Sequence, residues 1–199
     1  MELPTWQENM KKFDEKKAQK AIKLLLESFG ENLNREGVKR TPERVAEFYK
    51  EALSGNSEDP LKIASVHYAT EDHEEIVLVK DISFYSLCEH HLLPFFGKAH
   101  IAYIPKKDAI IGVSKLIRLV EVFANRLQLQ ERLTKQIADT IMKSVKPHGV
   151  MVVLEAEHLC MTMRGVKKPG SKMLTSAMRG AFMKDARTRT EALSLLNSK

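Results

Sequence analysis

Cysteine is scarce in this chain: among 199 residues there are two, Cys88 and Cys160. A fold stapled by disulfides carries more, so oxidative cross-linking is excluded as its main source of stability. Long apolar runs are also missing; none approaches the roughly 20 residues that cross a bilayer. The opening Met1-Glu2-Leu3-Pro4 has no basic residue and leads into no apolar run. It lacks the pattern of a secretory leader, and the expected location is the cytoplasm. Aromatic residues make up 7% and nowhere interleave with lysine and arginine, so the usual signature of a nucleic-acid surface is absent. No internal repeat, low-complexity tract or clear linker divides the chain.

What is present is ordinary globular material, with 43% hydrophobic and 29% charged residues, enough for one core in one domain. Lysine and arginine number 32 against 26 acids, and the net charge of +6 suits a polyanion or a small phosphorylated ligand equally well. Ala18, Ala21, Ile22, Leu25 and Phe29 recur on one helical face, predicting a helix over residues 5–29 with Gly30 as its stop. A second helix is predicted to open at Thr41-Pro42-Glu43, with Thr41 as cap, burying Val45, Tyr49 and Ala52 and ending near Gly55. These helices form an N-terminal segment, residues 1–55, ahead of a main region, residues 56–199. The stretch 56–75 reads as polar and irregular, with His67 and His73 at the surface.

From Ile76 the period changes to that of strands, over 76–79, 82–87 and 95–104, the last with Ile101 and Tyr103 on one face and His100 and Ala102 on the other. Ser114 is predicted to cap a helix carrying Ile117, Val120, Phe123, Ala124 and Leu127. Lys115 and Arg118 fall in its first turn, where cations oppose the helix dipole and an anionic ligand would give them a purpose. Another helix is predicted over 130–145, burying Leu133, Ile137, Ile141 and Val145. A strand over 150–163, a shorter one over 173–178 and a helix over 185–196 close the chain, which is therefore α+β.

Each cysteine has a histidine for a neighbour. In Cys88-Glu89-His90-His91 a thiol and an imidazole stand three residues apart, within reach of one ion from a single turn of chain. His158-Leu159-Cys160 supplies a second thiol once the fold returns it. Two thiolates and an imidazole are zinc chemistry, and three protein ligands leave the fourth tetrahedral position open for water. Cys88, His91 and Cys160 are the expected ligands, and His90 and His158 stand where proton-transfer groups belong. Read as one strand, His158, Cys160 and Arg164 share a parity and would project from one face.

Five stretches in this order resemble one enzyme family. They are Arg40-Thr41-Pro42-Glu43-Arg44, then Ser86-Leu87-Cys88-Glu89-His90-His91-Leu92-Leu93-Pro94-Phe95, then Gly112-Val113-Ser114-Lys115-Leu116-Ile117-Arg118. Gln128-Leu129-Gln130-Glu131-Arg132-Leu133-Thr134 and His158-Leu159-Cys160-Met161-Thr162-Met163-Arg164-Gly165 follow. From about residue 20 onward the chain is similar to GTP cyclohydrolase I. The resemblance implies Zn2+ held by Cys88, His91 and Cys160, and catalytic roles for His90, His158, Ser114 and Gln130. It implies that Gln130 and Glu131 recognise guanine, that Ser114 lies near the ribose and phosphates, and that Lys115, Arg118 and Arg164 hold the triphosphate. The implied reaction is hydrolytic opening of the GTP imidazole ring at C8, loss of formate, an Amadori-type rearrangement and closure to 7,8-dihydroneopterin triphosphate, a first step toward tetrahydrofolate or tetrahydrobiopterin.

The implied fold is the tunnelling fold: a four-stranded antiparallel sheet with helices on one side. Sheets of several subunits join into a barrel, two pentameric rings stack into a homodecamer, and active sites lie between subunits. Glu47 stands where some relatives carry a lysine near the phosphates, so the second helix is left out of the expected site. The segment ahead of the matching stretches is short, and feedback control through a long N-terminal extension is not expected. Two other readings compete. A nitrile reductase of queuosine synthesis shares the fold but uses a cysteine nucleophile without catalytic zinc, which the Cys88, His91 and Cys160 set opposes. A basic RNA-binding module with structural zinc would need a fourth ligand, His90 or His158, and would show no turnover.

Overall fold

The computed structural model describes residues 12–65, 67–68, 75–106 and 110–198, the pair 67–68 by backbone alone. The chain divides into two compact units, Met1–Ser57 and Glu58–Lys199. His73, and the part of the first predicted helix before residue 12, lie outside the described residues.

In the first unit, α1 (Glu15–Ser28) is capped by Asp14, whose carboxylate accepts from Lys17 N–H at 3.0 Å. Its end is the predicted one. Gly30 takes φ 79°, its N–H donates to Glu27 O at 3.0 Å, and Glu31 N–H donates to Leu26 O at 3.1 Å. That pair of bonds is a Schellman stop, which needs a residue at ease in the left-handed region. The half-buried face is Ala18, Ile22 and Leu26, while Ala21, Leu25 and Phe29 of the predicted face stay exposed. α2 (Thr41–Ala52) begins one residue earlier than predicted. Thr41 N–H is already bonded to Val38 O at 2.8 Å and Arg40 O accepts the first helical bond, so Arg40 stands at the cap and Thr41 is helical. Val45, Tyr49 and Ala52 are half-buried, along the same face as buried Pro42 and Ala46.

In the second unit, α3 (Pro60–Ala64) lies in the stretch expected to be irregular. Asp59 accepts from Leu61 N–H at 2.9 Å and Pro60 is pre-set for the first position, the same start signal that identified α2. β1 (His67–Tyr68) pairs with β4 (Ile110–Ile111). The main sheet has four long antiparallel strands in the order β2 (Val77–Cys88), β3 (Pro94–Ile104), β6 (Gly149–His158) and β7 (Lys172–Gly180). The two-residue β5 (Leu127–Gln128) adds in parallel along β2, with Leu87 opposite Leu127. The two strands predicted over 76–87 are one, kinked by a bulge where the register shifts between Val79 and Ile82.

Helices α4 (Val113–Ala124) and α5 (Gln130–Val145) cover one sheet face. Ile101, Tyr103, Val150, Val152 and Leu154 from the strands meet Leu119, Val120 and Phe123 of α4 and Leu133, Ile137 and Ile141 of α5, all buried. At one end of the strands the alternate positions are apolar too. Leu78, Ala102, Ile104, Met151, Val153 and Met178 form a second patch, packed by Phe182 of α7 (Ala181–Lys184) and by Ala192 and Leu193 of α8 (Ala186–Asn197). The helices therefore do not all lie on one side of the sheet. Three local expectations also change. Gly112 caps α4, because its carbonyl accepts from Lys115 N–H at 2.8 Å, and Ser114 is the second helical residue. α4 stops at Ala124, so Leu127 belongs to β5. β6 ends at His158 and a single turn, α6 (Leu159–Thr162), follows. No helix among the described residues is long and apolar enough to cross a membrane.

Candidate active site

β2 ends on Cys88, and the chain then folds back on itself to enter β3. Leu92 N–H and His91 N–H both donate to Cys88 O, at 2.8 and 3.3 Å, and Cys88 N–H donates to Leu93 O at 2.9 Å. Leu92 is held at φ 55°, a left-handed conformation uncommon for a side chain of its kind. The turn sets His91 back beside Cys88. On the next strand but one, α6 does the same for Cys160, because one helical turn after β6 swings its side chain toward the end of the sheet. The ligand atoms of Cys88, His91 and Cys160 all lie within 4.8 Å of one another. Cys88 is buried, Cys160 half-buried and His91 exposed, so the group opens to solvent on one side.

The donor set can be tested against the ion it would hold. Metal–sulfur bonds of about 2.3 Å and metal–nitrogen bonds of about 2.0 Å in a tetrahedron place ligand atoms roughly 3.5 Å apart. Small side-chain rotations bring three atoms within 4.8 Å of one another to that spacing. Burial and the neighbouring Cys88 push the Cys160 thiol above its ordinary range, a cost that a divalent cation reverses by favouring thiolates. The residues fit a metal ion.

His158 closes β6 with its ring stacked on Phe95, centroids 4.6 Å apart and planes 3° from parallel. Its Nε2 lies 2.8 Å from Gln130 Oε1. Burial pushes the imidazole below its ordinary pKa, partly offset by the charge of Glu131. Gln130 itself is 1% exposed. Its amide nitrogen meets Leu154 O at 3.1 Å, Met173 O at 3.0 Å and Thr175 Oγ1 at 3.1 Å. Two backbone carbonyls can only accept, so the NH2 end is fixed there, Oε1 faces the histidine, and Nε2–H of His158 donates. Both ends of the Gln130 side chain are thus bonded within the chain, the nitrogen to Leu154, Met173 and Thr175 and the oxygen to His158.

Beside the turn, Arg132 of α5 grips Glu89 with two parallel bonds, Nη1 to Oε2 and Nη2 to Oε1, the latter at 2.9 Å. Glu89 is held below the ordinary carboxylate range, first by that hydrogen-bonded guanidinium.

The family model of GTP cyclohydrolase I matches residues 18–197. The chain belongs to the GTP cyclohydrolase I family. It is 61% identical over 184 residues to GTP cyclohydrolase 1 of Pelotomaculum thermopropionicum, covering 92% of this chain and 97% of that one. To GTP cyclohydrolase 1 of Clostridioides difficile it is 58% identical over 190 residues, covering 96% and 100%. With the Geobacillus kaustophilus protein of the same name the identity is 59% over 181 residues, covering 89% and 94%. Among solved structures, the archaeosine synthase QueF-Like in the apo form shows a slight likeness, with 18% identity and a TM-score of 0.46 over 55% of this chain and 97% of that one. This chain is an enzyme, a hydrolase of the GTP cyclohydrolase I kind.

Set beside that family, the structure gathers eight of the anticipated residues at one end of the sheet. Cys88, His91 and Cys160 form the group that could hold a metal ion. His90 is exposed, its ring edge-on to His91 at 6.2 Å. His158 is bonded to Gln130, and Glu131 stands exposed in the first turn of α5. Arg164 reaches the group by way of α6 rather than by strand parity, and its Nη1 lies 3.3 Å from His91 Nε2. Ser114, Lys115 and Arg118 are not there. The end of α4 beside the site is its C-terminus, since Ser86 Oγ donates to Ala124 O at 2.7 Å. A helix of 12 residues is about 18 Å long, so its first turn lies at the other end of the sheet. Glu89, Arg132, Phe95 and Thr175 escaped the sequence reading. The opposite charges of Glu89 and Arg132, each inside a motif stretch, were the signal available.

Proposed function

We propose that this chain converts GTP to 7,8-dihydroneopterin triphosphate and formate in the cytoplasm, with zinc as its metal, as the first step toward a tetrahydrofolate or tetrahydrobiopterin. The observation that carries this reading is the three-donor group of Cys88, His91 and Cys160, open to solvent beside His90 and near the buried His158, on a chain of this family. Zinc held there would act as a Lewis acid that makes water a nucleophile at neutral pH. The remaining roles belong to side chains. Glu131 accepts the N–H groups along the six-membered edge of guanine, and adenine, which lacks them, leaves that acceptor unpaired. His158, held in place by Gln130 and Phe95, and His90, at the solvent side, move protons at the five-membered ring. Arg164 beside His91 binds phosphate oxygens.

Ser114, Lys115 and Arg118 complete the triphosphate site in this reading, and their distance from the metal group within one chain supports a site shared between chains. We read the assembly as two stacked pentamers of the tunnelling fold, with the sheets joined into a barrel. Residues 56–199 are taken as the catalytic region and 1–55 as an appended helical segment.

The test is formate release from GTP by the zinc-loaded protein, run beside a chelated sample. Formate together with a pterin that fluoresces after oxidation, both lost on chelation and in Cys88→Ser and Cys160→Ser along with the metal, is the expected result. Absence of formate from a zinc-loaded, assembled sample overturns the reading.

A further inference from the structure

The functional reading places two segments of this chain at opposite ends of one rigid molecule. The turn 88–93 carries two metal ligands and would act at the five-membered ring of the base. The first turn of α5 carries Glu131, which would read the six-membered ring. A purine is flat and does not bend, so whatever holds these segments apart decides whether the reacting carbon is presented correctly. A misplacement of about 1 Å costs about a hundredfold in rate.

The structure joins the two segments by their side chains. Arg132 follows Glu131 and Glu89 follows Cys88, and the guanidinium of Arg132 donates two parallel hydrogen bonds to the carboxylate of Glu89, one of them at 2.9 Å. Such a fork fixes distance and plane together, which a single ammonium contact does not. Glu89 N–H also donates to Gln128 O at 3.1 Å, tying the same turn to the approach of α5. The pair is one-third exposed, with side chains 33% and 29% accessible, so its contribution to stability is small. Each charge is occupied by the other. Glu89 is not part of the three-donor metal group, and Arg132 points at the turn.

We infer that the Glu89–Arg132 pair is a positioning device that sets the separation between the metal-ligand turn and the guanine-reading turn. Neither side chain touches substrate. The inference rests on the proposed function and extends it to two residues with no role in it.

The experiment uses zinc-loaded full-length protein with Glu89→Gln, Arg132→Met and the double variant. Formate release gives kcat and KM, zinc content is measured on the same samples, and amide hydrogen exchange follows Glu89, His91 and Leu92. The expected result is a loss of about 10- to 100-fold in kcat in each single variant, with KM for GTP changed little. The double variant falls no further than the worse single one, zinc stays stoichiometric, and the three amides exchange faster. Unchanged kcat, losses that multiply in the double variant, or zinc content falling in step with kcat would each overturn the inference. If the neutral variants fail to fold, Arg132→Lys keeps the charge but not the fork, and the same loss in kcat is expected of it. Unmodified protein run alongside separates the two failures. No formate from it removes the functional reading, whereas turnover by it with unimpaired variants removes this inference alone.

Discussion

In sequence Gln130 is a polar residue next to an acid at a helix start, and nothing marks it as buried. Folded, it sits between strands 24 and 43 positions away, donating to the carbonyls of Leu154 and Met173 while His158 donates to it. Those acceptors are main-chain atoms, which no residue pattern announces. Cys88, His91 and Cys160 were legible for the opposite reason: metal ligation restricts residue type and spacing so tightly that few other uses of the same residues survive. The buried amide makes its own prediction. Gln130→Leu leaves Leu154 O and Met173 O without that donor and His158 without its acceptor, and each orphaned group costs about 1–3 kcal/mol. The urea midpoint should fall accordingly. Turnover should drop at least about tenfold with KM for GTP little changed, because the histidine is loosened and the base contacts are not. A raised KM with kcat intact would return Gln130 to guanine recognition.

Elements were legible where their period ran long and clean. α5 occupies the predicted residues 130–145, and Leu133, Ile137, Ile141 and Val145 are buried as the spacing required. The short elements were not: α6, α7 and the two-residue β5 are too brief to show a period, and β5 is defined by its pairing with β2. β2 looked like two strands because the bulge interrupts its alternation. At that bulge Asp81, at φ 63°, donates its N–H to His100 Nδ1 at 3.1 Å, so the histidine serves as an acceptor only while neutral. Burial holds His100 below its ordinary 6.5, with Asp81 and Glu155 pulling it up and Lys80 and Lys98 pressing it further down. Across the window from 6.5 down to the lowered folded value the unfolded chain binds more protons, so acidification through it costs stability. The gap between urea midpoints at about pH 7.5 and 5.5 should narrow in His100→Asn, whose oxygen accepts the same N–H without titrating, and what remains includes the share of His158, also lowered by burial. An unaltered pH slope in that variant would show that the bulge does not report on His100. The neighbouring strands allow a second check. A Cβ on Gly97 would lie 1.8 Å from Glu155 O and 2.7 Å from Ala156 Cα, both backbone, so Gly97→Ala must separate β3 from β6. A loss of about 4 kcal/mol or more is expected, and a thermal midpoint near that of the unmodified protein would contradict the close approach.

At the scale of the whole molecule the five motif stretches identified a family, but one chain does not bring all of them together. The metal group and the first turn of α4 lie at opposite ends of the sheet, and sequence order carries no information about which copy supplies which residue. If sites are shared between chains, damage to the two halves should complement. Cys88→Ser protein lacks the metal half, and the Lys115→Ala, Arg118→Ala double variant lacks the α4 half, so each assembled alone should be inactive. Equal amounts unfolded, mixed and reassembled with zinc should regain about a quarter of the unmodified activity, because each half of a site is intact in half of the chains at random. Formate release from the mixture measures it directly. Recovery requires that Cys88 of one copy serve with Lys115 and Arg118 of another. A site drawn from a single chain would leave every copy defective and the mixture as inactive as its parents.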